Sequence, residues 1–176
     1  MKLPQKILTF IWKFLHESLP VFEVLNNRGI LFSSNCLICN EENESLDHLF
    51  MKCPFTRAIW HGSNLAIRSS ELQYRSVKQW VKDSILQNDF EENGGTGFIQ
   101  SFFTIMWSIW NHRNRVLHQG ILPIHIEVIL TSQSLTCRYQ EAFQTQRVQE
   151  TETTQQQHPP FFPSNQEWQL NLKVAV

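Results

Sequence analysis

Three cysteines and one histidine fall within eighteen residues and constrain the fold more than any other feature of this sequence. They are Cys36, Cys39, His48 and Cys53, in the pattern Cys-x2-Cys-x8-His-x4-Cys. Structural zinc sites bind Zn²⁺ with four thiolate or imidazole donors in a tetrahedron. A Cys-x2-Cys turn places two thiolates on one side of a tight loop. The eight residues that follow allow the chain to return, so that His48 and Cys53 complete the site. The array therefore predicts one structural zinc ion at the centre of the fold.

Two other uses of these cysteines are open. A Cys-x2-Cys pair can be a redox motif, but such a motif lies at a strand-to-helix junction of a βαβ unit, and that pattern is not visible here. A disulfide framework needs an oxidising compartment. The N-terminal apolar run does not read as a secretion signal, because Lys13 and His16 interrupt it. Since four protein ligands leave no position for water or substrate, a zinc site of this kind is expected not to be catalytic.

The charge balance limits the partners to be expected. The 176 residues carry 15 Lys and Arg against 16 Asp and Glu, a formal net charge of −1. Holding nucleic acid by charge requires a clustered excess of Lys and Arg, so any binding of RNA or DNA is expected to be weak. Lys52 and Arg57, on either side of Cys53, are the candidate phosphate contacts. No apolar run is long enough to span a bilayer, so no membrane partner is expected. The cysteine usage and the interrupted N-terminal run predict an intracellular protein, in the nucleus or the cytoplasm.

Apolar residues recur at helical spacing before and after the zinc loop. Pro4 is placed to begin the first helix, and Phe10, Trp12 and Phe14 are expected to pack in the core. A second short helix is expected to end at a C-cap formed by Gly29. Further helices are predicted over residues 54–61, 77–86, 98–118 and 123–146. Within the zinc loop, Glu44 and Asp47 are candidate partners for the second ring nitrogen of His48.

The predicted fold class is mainly α: a small helical domain organised around a zinc-binding loop, followed by a helical hairpin and a disordered C-terminal tail. The predicted segments are a zinc-binding domain (1–90), a glycine-rich flexible joint (91–97), the hairpin (98–147) and the tail (148–176). The first hairpin helix is apolar nearly all round, which predicts burial by its neighbours. The second is expected to bury Ile126, Ile129, Leu130 and Leu135, with Cys137 as a small buried residue.

A set of residues spread over the first part of the chain carries a resemblance to a known family. They are Pro4, Lys6, Phe10, Trp12, Leu19-Pro20, Leu25, Arg28, Cys36, Cys39, Glu44, His48-Leu49-Phe50, Cys53 and Trp60. In this order they resemble the reverse-transcriptase zinc-binding domain found downstream of the polymerase in plant non-LTR (LINE-type) retroelements and in ribonuclease H proteins derived from them. The resemblance covers roughly residues 4–85. The stretch Trp107–Asn114 looks like the Ile-Trp-x-x-Arg-Asn helix that follows this domain.

The resemblance also implies which functions to expect. In full-length relatives a linker leads to a ribonuclease H-like domain, and Trp168 with residues 172–176 looks like the start of its first strand, before the catalytic Asp. No residue here matches a catalytic position, so only the four zinc ligands are carried over and no enzymatic activity is expected. The predicted function is a non-catalytic zinc module of retrotransposon origin that assists nucleic-acid handling beside other domains of a polyprotein. The alternatives are a ribonuclease H-like nuclease and a protein-interaction adaptor using the helix Phe98–Trp110.

Overall fold

The computed structural model describes residues 3–30, 33–72, 76–88 and 95–156. Within these ranges the chain forms six α-helices and one π-helical turn, His48–Lys52, and contains no β-strand. The helices are α1 (Gln5–Leu15), α2 (Phe22–Asn27), α3 (Pro54–Gly62), α4 (Val77–Asn88), α5 (Gly95–Gln119) and α6 (His125–Gln156). The described residues up to position 141 form one compact unit, and those from position 142 to 156 belong to a second. The predicted mainly α fold class, organised around the Cys/His loop, is confirmed.

Helix α1 begins directly after Pro4 and buries one face against α5 and the zinc loop. The rings of Phe10 and Phe14 lie with their centroids 6.0 and 5.6 Å from that of Phe50 in the π-helical turn. Trp12 is 57% exposed, so its predicted place in the core is wrong. Two residues along an α-helix rotate a side chain by about 200°, and position 12 therefore points away from the face that carries positions 10 and 14.

The end of helix α2 is set by a glycine, as the sequence predicts. Gly29 has a φ of 80°, a left-handed conformation that glycine adopts without steric cost. The backbone N–H groups of Gly29 and Ile30 donate to the carbonyls of Asn26 and Leu25, both at 3.0 Å. These two bonds satisfy carbonyls that the helix leaves unpaired at its end. The chain then turns into the zinc loop.

The core of the first unit is built around Trp60 of α3, which is fully buried. Its ring centroid lies 4.9 Å from that of Trp80 in α4 and 5.1 Å from that of Phe102 in α5. Its Nε1–H donates a hydrogen bond to the carbonyl oxygen of Phe50 at 2.8 Å. Three helices and the zinc loop therefore meet at one side chain.

Helix α5 is buried on nearly all sides, as its apolar pattern predicts. Its buried residues are Ile99, Gln100, Ser101, Phe102, Phe103, Thr104, Ile105, Met106, Ser108, Ile109, His112 and Arg113. It packs against α1 and α4. Neither α5 nor any other helix in the described ranges has the combination of length and apolar character needed to cross a membrane.

The inward face of helix α6 matches the predicted one in part, because Leu135 is buried and Ile129 packs against the core. Ile126 and Leu130 are exposed, as is Cys137, and the predictions for these three residues are wrong. The buried positions are Val128, Ser132, Leu135 and Thr136. The hydroxyl groups among them donate to backbone carbonyls of the preceding turn of the same helix, so these small polar residues are buried without unpaired donors. An inward face that contains such residues is not found by counting apolar positions alone.

Two predicted segment boundaries fall partly outside the described residues. Helix α5 begins at Gly95, so the last residues of the predicted flexible joint are helical, and residues 91–94 lie outside the described ranges. Helix α6 continues to Gln156, ten residues past the predicted end at position 146. The remainder of the predicted tail, residues 157–176, also lies outside the described ranges. The division into domains stays a prediction.

Candidate metal centre

The side chains of Cys36, Cys39, His48 and Cys53 come together in the structure. Their four ligand atoms all lie within 4.8 Å of one another, and Sγ of Cys39 is 3.2 Å from Nε2 of His48. Ligands held 2.0–2.3 Å from a tetrahedral Zn²⁺ are about 3.5–3.8 Å apart, so a small adjustment closes the site around an ion. Three thiolates and an imidazole are donors that Zn²⁺ prefers. The cluster is therefore suited to one Zn²⁺, and in the part of the chain that the structure describes no other group of His, Cys, Asp or Glu is placed to hold a metal.

The first two cysteines are positioned by a tight turn. The backbone N–H of Asn40 donates to the carbonyl of Cys36 at 2.8 Å. Asn40 has a φ of 58°, and asparagine is among the few residues besides glycine that tolerate this conformation. The N–H of Cys36 in turn donates to the carbonyl of Glu42 at 2.7 Å, and a single antiparallel bridge joins Asn35 to Asn43. The segment after Cys39 is thus folded back onto Cys36.

His48 and Cys53 stand at the two ends of the π-helical turn. The backbone N–H of Cys53 donates to the carbonyl of His48 at 2.8 Å, five residues earlier. This wider turn brings two ligands that are five positions apart to one side of the loop. Pro54 then occupies the first position of α3, where a helix does not need its missing N–H. The predicted helix that begins at residue 54 is confirmed.

His48 is oriented by an acidic side chain, although not by either of the two predicted ones. Its Nδ1 lies 3.1 Å from Oε2 of Glu42, while Nε2 faces the cysteines. Nδ1 therefore carries the hydrogen and donates a hydrogen bond to the carboxylate. This bond fixes the tautomer that leaves Nε2 free to bind metal. Asp47 instead accepts the backbone N–H of Val77 at 2.7 Å. Glu44 is engaged by an arginine.

A buried ion pair joins the zinc loop to helix α5. The carboxylate of Glu44 accepts hydrogen bonds from Arg113, from Nε to Oε2 at 3.1 Å and from Nη2 to Oε1 at 2.5 Å. Both side chains are almost completely buried, at 0% and 1% exposure. Helical periodicity gives no signal for a partnership between residues 69 positions apart. The one available clue is that Glu44 belongs to the set that carries the family resemblance and Arg113 to the stretch Trp107–Asn114, which resembles the helix that follows that domain.

The side chains of Cys36 and Cys53 are hydrogen-bonded to each other. The Cys53 thiol donates to the sulfur of Cys36, which lowers the pKa of Cys36 and raises the pKa of Cys53, and burial adds to the rise at Cys53. A thiol that coordinates zinc is deprotonated. Binding of Zn²⁺ at this cluster therefore releases protons, and the affinity for the ion is expected to fall as the pH is lowered.

The two candidate phosphate contacts are both exposed and flank a metal ligand. Lys52 is the last residue of the π-helical turn, and Arg57 lies in the first turns of α3, where its backbone N–H donates to the carbonyl of Cys53 at 2.9 Å. Neither forms an ion pair with another residue of the described ranges. Both charges are therefore available to an external anion.

Replacing Glu42 with glutamine is expected to weaken zinc binding by about tenfold, at the lower end of the usual 10–100-fold effect of such partners. The reason is that Glu42 is 67% exposed, so water can replace part of its hydrogen bond to His48. The dissociation constant is measured by competition with a chromophoric chelator. Glu41→Gln removes the same charge from an exposed neighbour and should change it less than twofold. Equal effects of the two substitutions would show that only the charge of the loop matters.

Comparison with known proteins finds a family model whose matched range includes the metal cluster. No curated protein and no solved structure matches the chain. Residues 1–60 match the model of a family described as zinc-binding in reverse transcriptase, and this range contains the whole Cys/His cluster together with Trp60. The N-terminal part of the chain, with its site for one Zn²⁺, is thus similar to the zinc-binding domain of reverse transcriptases.

Proposed function

We propose that this chain is a non-catalytic zinc-binding module of a reverse-transcriptase system, with Cys36, Cys39, His48 and Cys53 holding one structural Zn²⁺. The observation that carries the proposal is the convergence of these side chains inside the segment that matches the family. A zinc ion with four protein ligands has no open position for water or substrate. The ion's role is then to hold the loop and the helices around it.

The proposal extends to the origin of the chain and to its neighbours. Residues outside the matched segment support a plant non-LTR retroelement, since Trp110, Arg113 and Asn114 fit the helix that follows the zinc domain in such proteins. Trp168 fits the start of a ribonuclease H-like domain. In this setting the module is an accessory that helps the reverse transcriptase and ribonuclease H domains to handle RNA or DNA.

The contact with nucleic acid is proposed to run through Lys52 and Arg57. Both side chains are exposed and both lie within four residues of Cys53, so a bound zinc ion makes their backbone rigid. Two phosphate contacts on a chain with a net charge of −1 give only weak attraction. Tight binding of nucleic acid is therefore expected to require the neighbouring domains as well.

Titration of a labelled single-stranded RNA by fluorescence anisotropy is expected to give a dissociation constant of about 1 μM or weaker, in the range of non-specific binding. The double variant Lys52→Ala/Arg57→Ala should reduce the slope of log affinity against log salt by about 1.4, because each single-strand phosphate contact contributes about 0.7. The control Lys13→Ala/Lys82→Ala removes two exposed lysines from α1 and α4 and should leave the slope nearly unchanged. Tight binding, or an unchanged slope in the first variant, would contradict the proposal.

The two alternative functions receive less support from the structure. A nuclease that uses divalent metal needs clustered carboxylates, and the described residues hold no metal-binding group apart from the Cys/His cluster. Cleavage of an RNA–DNA hybrid that depends on Mg²⁺ would nevertheless overturn the non-catalytic assignment. An adaptor surface on α5 would rely on side chains such as Phe102, Met106 and Ile109, which are already buried inside the unit.

A further inference from the structure

Glu44 joins the zinc loop to helices α2 and α5 and to the segment that precedes the first cysteine. Its carboxylate accepts the backbone N–H of Phe22 at 3.1 Å in addition to the two bonds from Arg113. Its backbone carbonyl accepts the N–H of Glu23 at 3.1 Å, and its own N–H donates to the carbonyl of Ser34 at 2.8 Å. The side chain and the backbone of this one residue are therefore held at the same time.

A short path leads from Glu44 to two of the metal ligands. Two positions earlier, Glu42 accepts the backbone N–H of Cys36 through its carbonyl and binds Nδ1 of His48 through its carboxylate. Displacement of Glu44 would move Glu42 with it, because only one residue separates them. The geometry of the cluster thus depends on where Glu44 is held.

Arg113 holds the carboxylate of Glu44 in one position. Its planar guanidinium makes two parallel bonds to the carboxylate, an arrangement that fixes orientation as well as distance. The rings of Phe22 and Trp110 lie 5.0 and 5.3 Å from the guanidinium carbon, and Nη1 donates to the side-chain oxygen of Asn114 at 3.1 Å. Since both charges are buried, neither can exchange its partner for water without a large cost.

We propose that Arg113 is a positioning residue of the metal centre, although it lies 53 residues beyond the segment that matches the family. By fixing Glu44 it holds the 42–44 segment against Cys36 and His48, and so increases the affinity for Zn²⁺. The inference rests on the zinc site proposed above. It also means that the functional unit of zinc binding includes the C-terminal half of α5.

The test compares two double variants of the full chain. Glu44→Gln/Arg113→Met removes both buried charges together, so that no uncompensated charge is left behind. Glu127→Gln/Arg115→Met is the control, because it removes another ion pair made by the same helix, at 2.5 Å and partly exposed, which joins α5 to α6. For each protein the zinc content is measured first. The dissociation constant for Zn²⁺ is then obtained by chelator competition, and the d–d bands are recorded with Co²⁺ in place of zinc.

The first variant is expected to bind Zn²⁺ about 10–100-fold more weakly than the wild type and to shift the Co²⁺ bands, while the control changes the affinity less than twofold and leaves the bands in place. A folded first variant with wild-type affinity and wild-type bands would overturn the inference. If that variant does not fold, Arg113→Lys decides, because it keeps the charge and loses the second parallel bond. Weaker binding with shifted bands then supports the inference, and unchanged values reject it. A wild-type chain without zinc would instead reject the zinc-binding function itself.

Discussion

Removal of zinc from the reduced protein is expected to abolish its cooperative unfolding transition and to lower its helical circular dichroism signal. The apparent binding energy of structural zinc is roughly 10–16 kcal/mol at neutral pH, comparable with the whole stability of a domain, about 5–15 kcal/mol. The core residues Leu49, Phe50 and Met51 lie between two of the ligands. Loss of the ion therefore releases core side chains together with the loop. The measurements are elemental analysis, expected to give one zinc per chain, and thermal denaturation before and after chelation.

Two cysteine variants control this experiment. Cys36→Ser removes a buried ligand and is expected to behave as the chelated protein does. Cys137→Ser changes an exposed cysteine outside the cluster and is expected to keep one zinc and the wild-type melting temperature. A chain that holds no zinc and melts at the same temperature with or without chelator would show that the cluster does not organise the fold.

Replacing Trp60 with alanine is expected to destabilise the zinc-loaded protein by about 3–5 kcal/mol, the usual cost of removing a buried tryptophan. The side chain fills the space between Trp80 and Phe102, and the variant also leaves the carbonyl of Phe50 without its donor. Urea unfolding in the presence of excess zinc measures the change in the free energy of unfolding.

The exposed Trp12 provides the matched control for this variant. Trp12→Ala removes the same side chain from the outer surface of α1 and is expected to change the free energy of unfolding by about 0.5 kcal/mol or less. Trp60→Phe retains one aromatic ring but loses the N–H and the volume of the second ring, which predicts an intermediate cost of about 1–3 kcal/mol. Similar values for Trp60→Ala and Trp12→Ala would mean that α4 and α5 do not share a core with α3.

Local patterns in the sequence predict the parts of this structure that depend on local chemistry. The spacing of the cysteines and the histidine identifies the cluster, because turns and short helical segments bring such residues together without help from distant parts of the chain. Gly29 and Pro54 mark helix ends for the same reason, since glycine adopts the left-handed conformation that ends a helix and proline fixes its own φ at a value suited to the first position of one. The burial of α5 follows from side chains that are apolar on almost every side.

Features that depend on tertiary packing are not visible in the same way. Trp12 is apolar and lies in an amphipathic helix, yet the face it occupies meets solvent. Ile126 and Leu130 are equally apolar, but the inward face of α6 is chosen by what packs on α5 and α3. Helices α6 and α3 pack closely at Gly62, where an added Cβ would come within 2.8 Å of the side chain of Ile129. The partner of a buried charged residue is harder still to predict, because nothing near Glu44 in the sequence indicates Arg113.

The ion pair between Glu44 and Arg113 also sets an order of events during synthesis of the chain. All residues of the metal cluster leave the ribosome before α3 is complete, and they close a loop of eighteen residues. Arg113 follows Glu44 by 69 residues, after α3, α4 and most of α5 have been made. The zinc loop can therefore form early as a local structure, but Glu44 stays hydrated until the nascent chain is long enough to fold α5 over it. Entry of the carboxylate into the core is consequently a late step, which couples completion of the metal centre to completion of the domain.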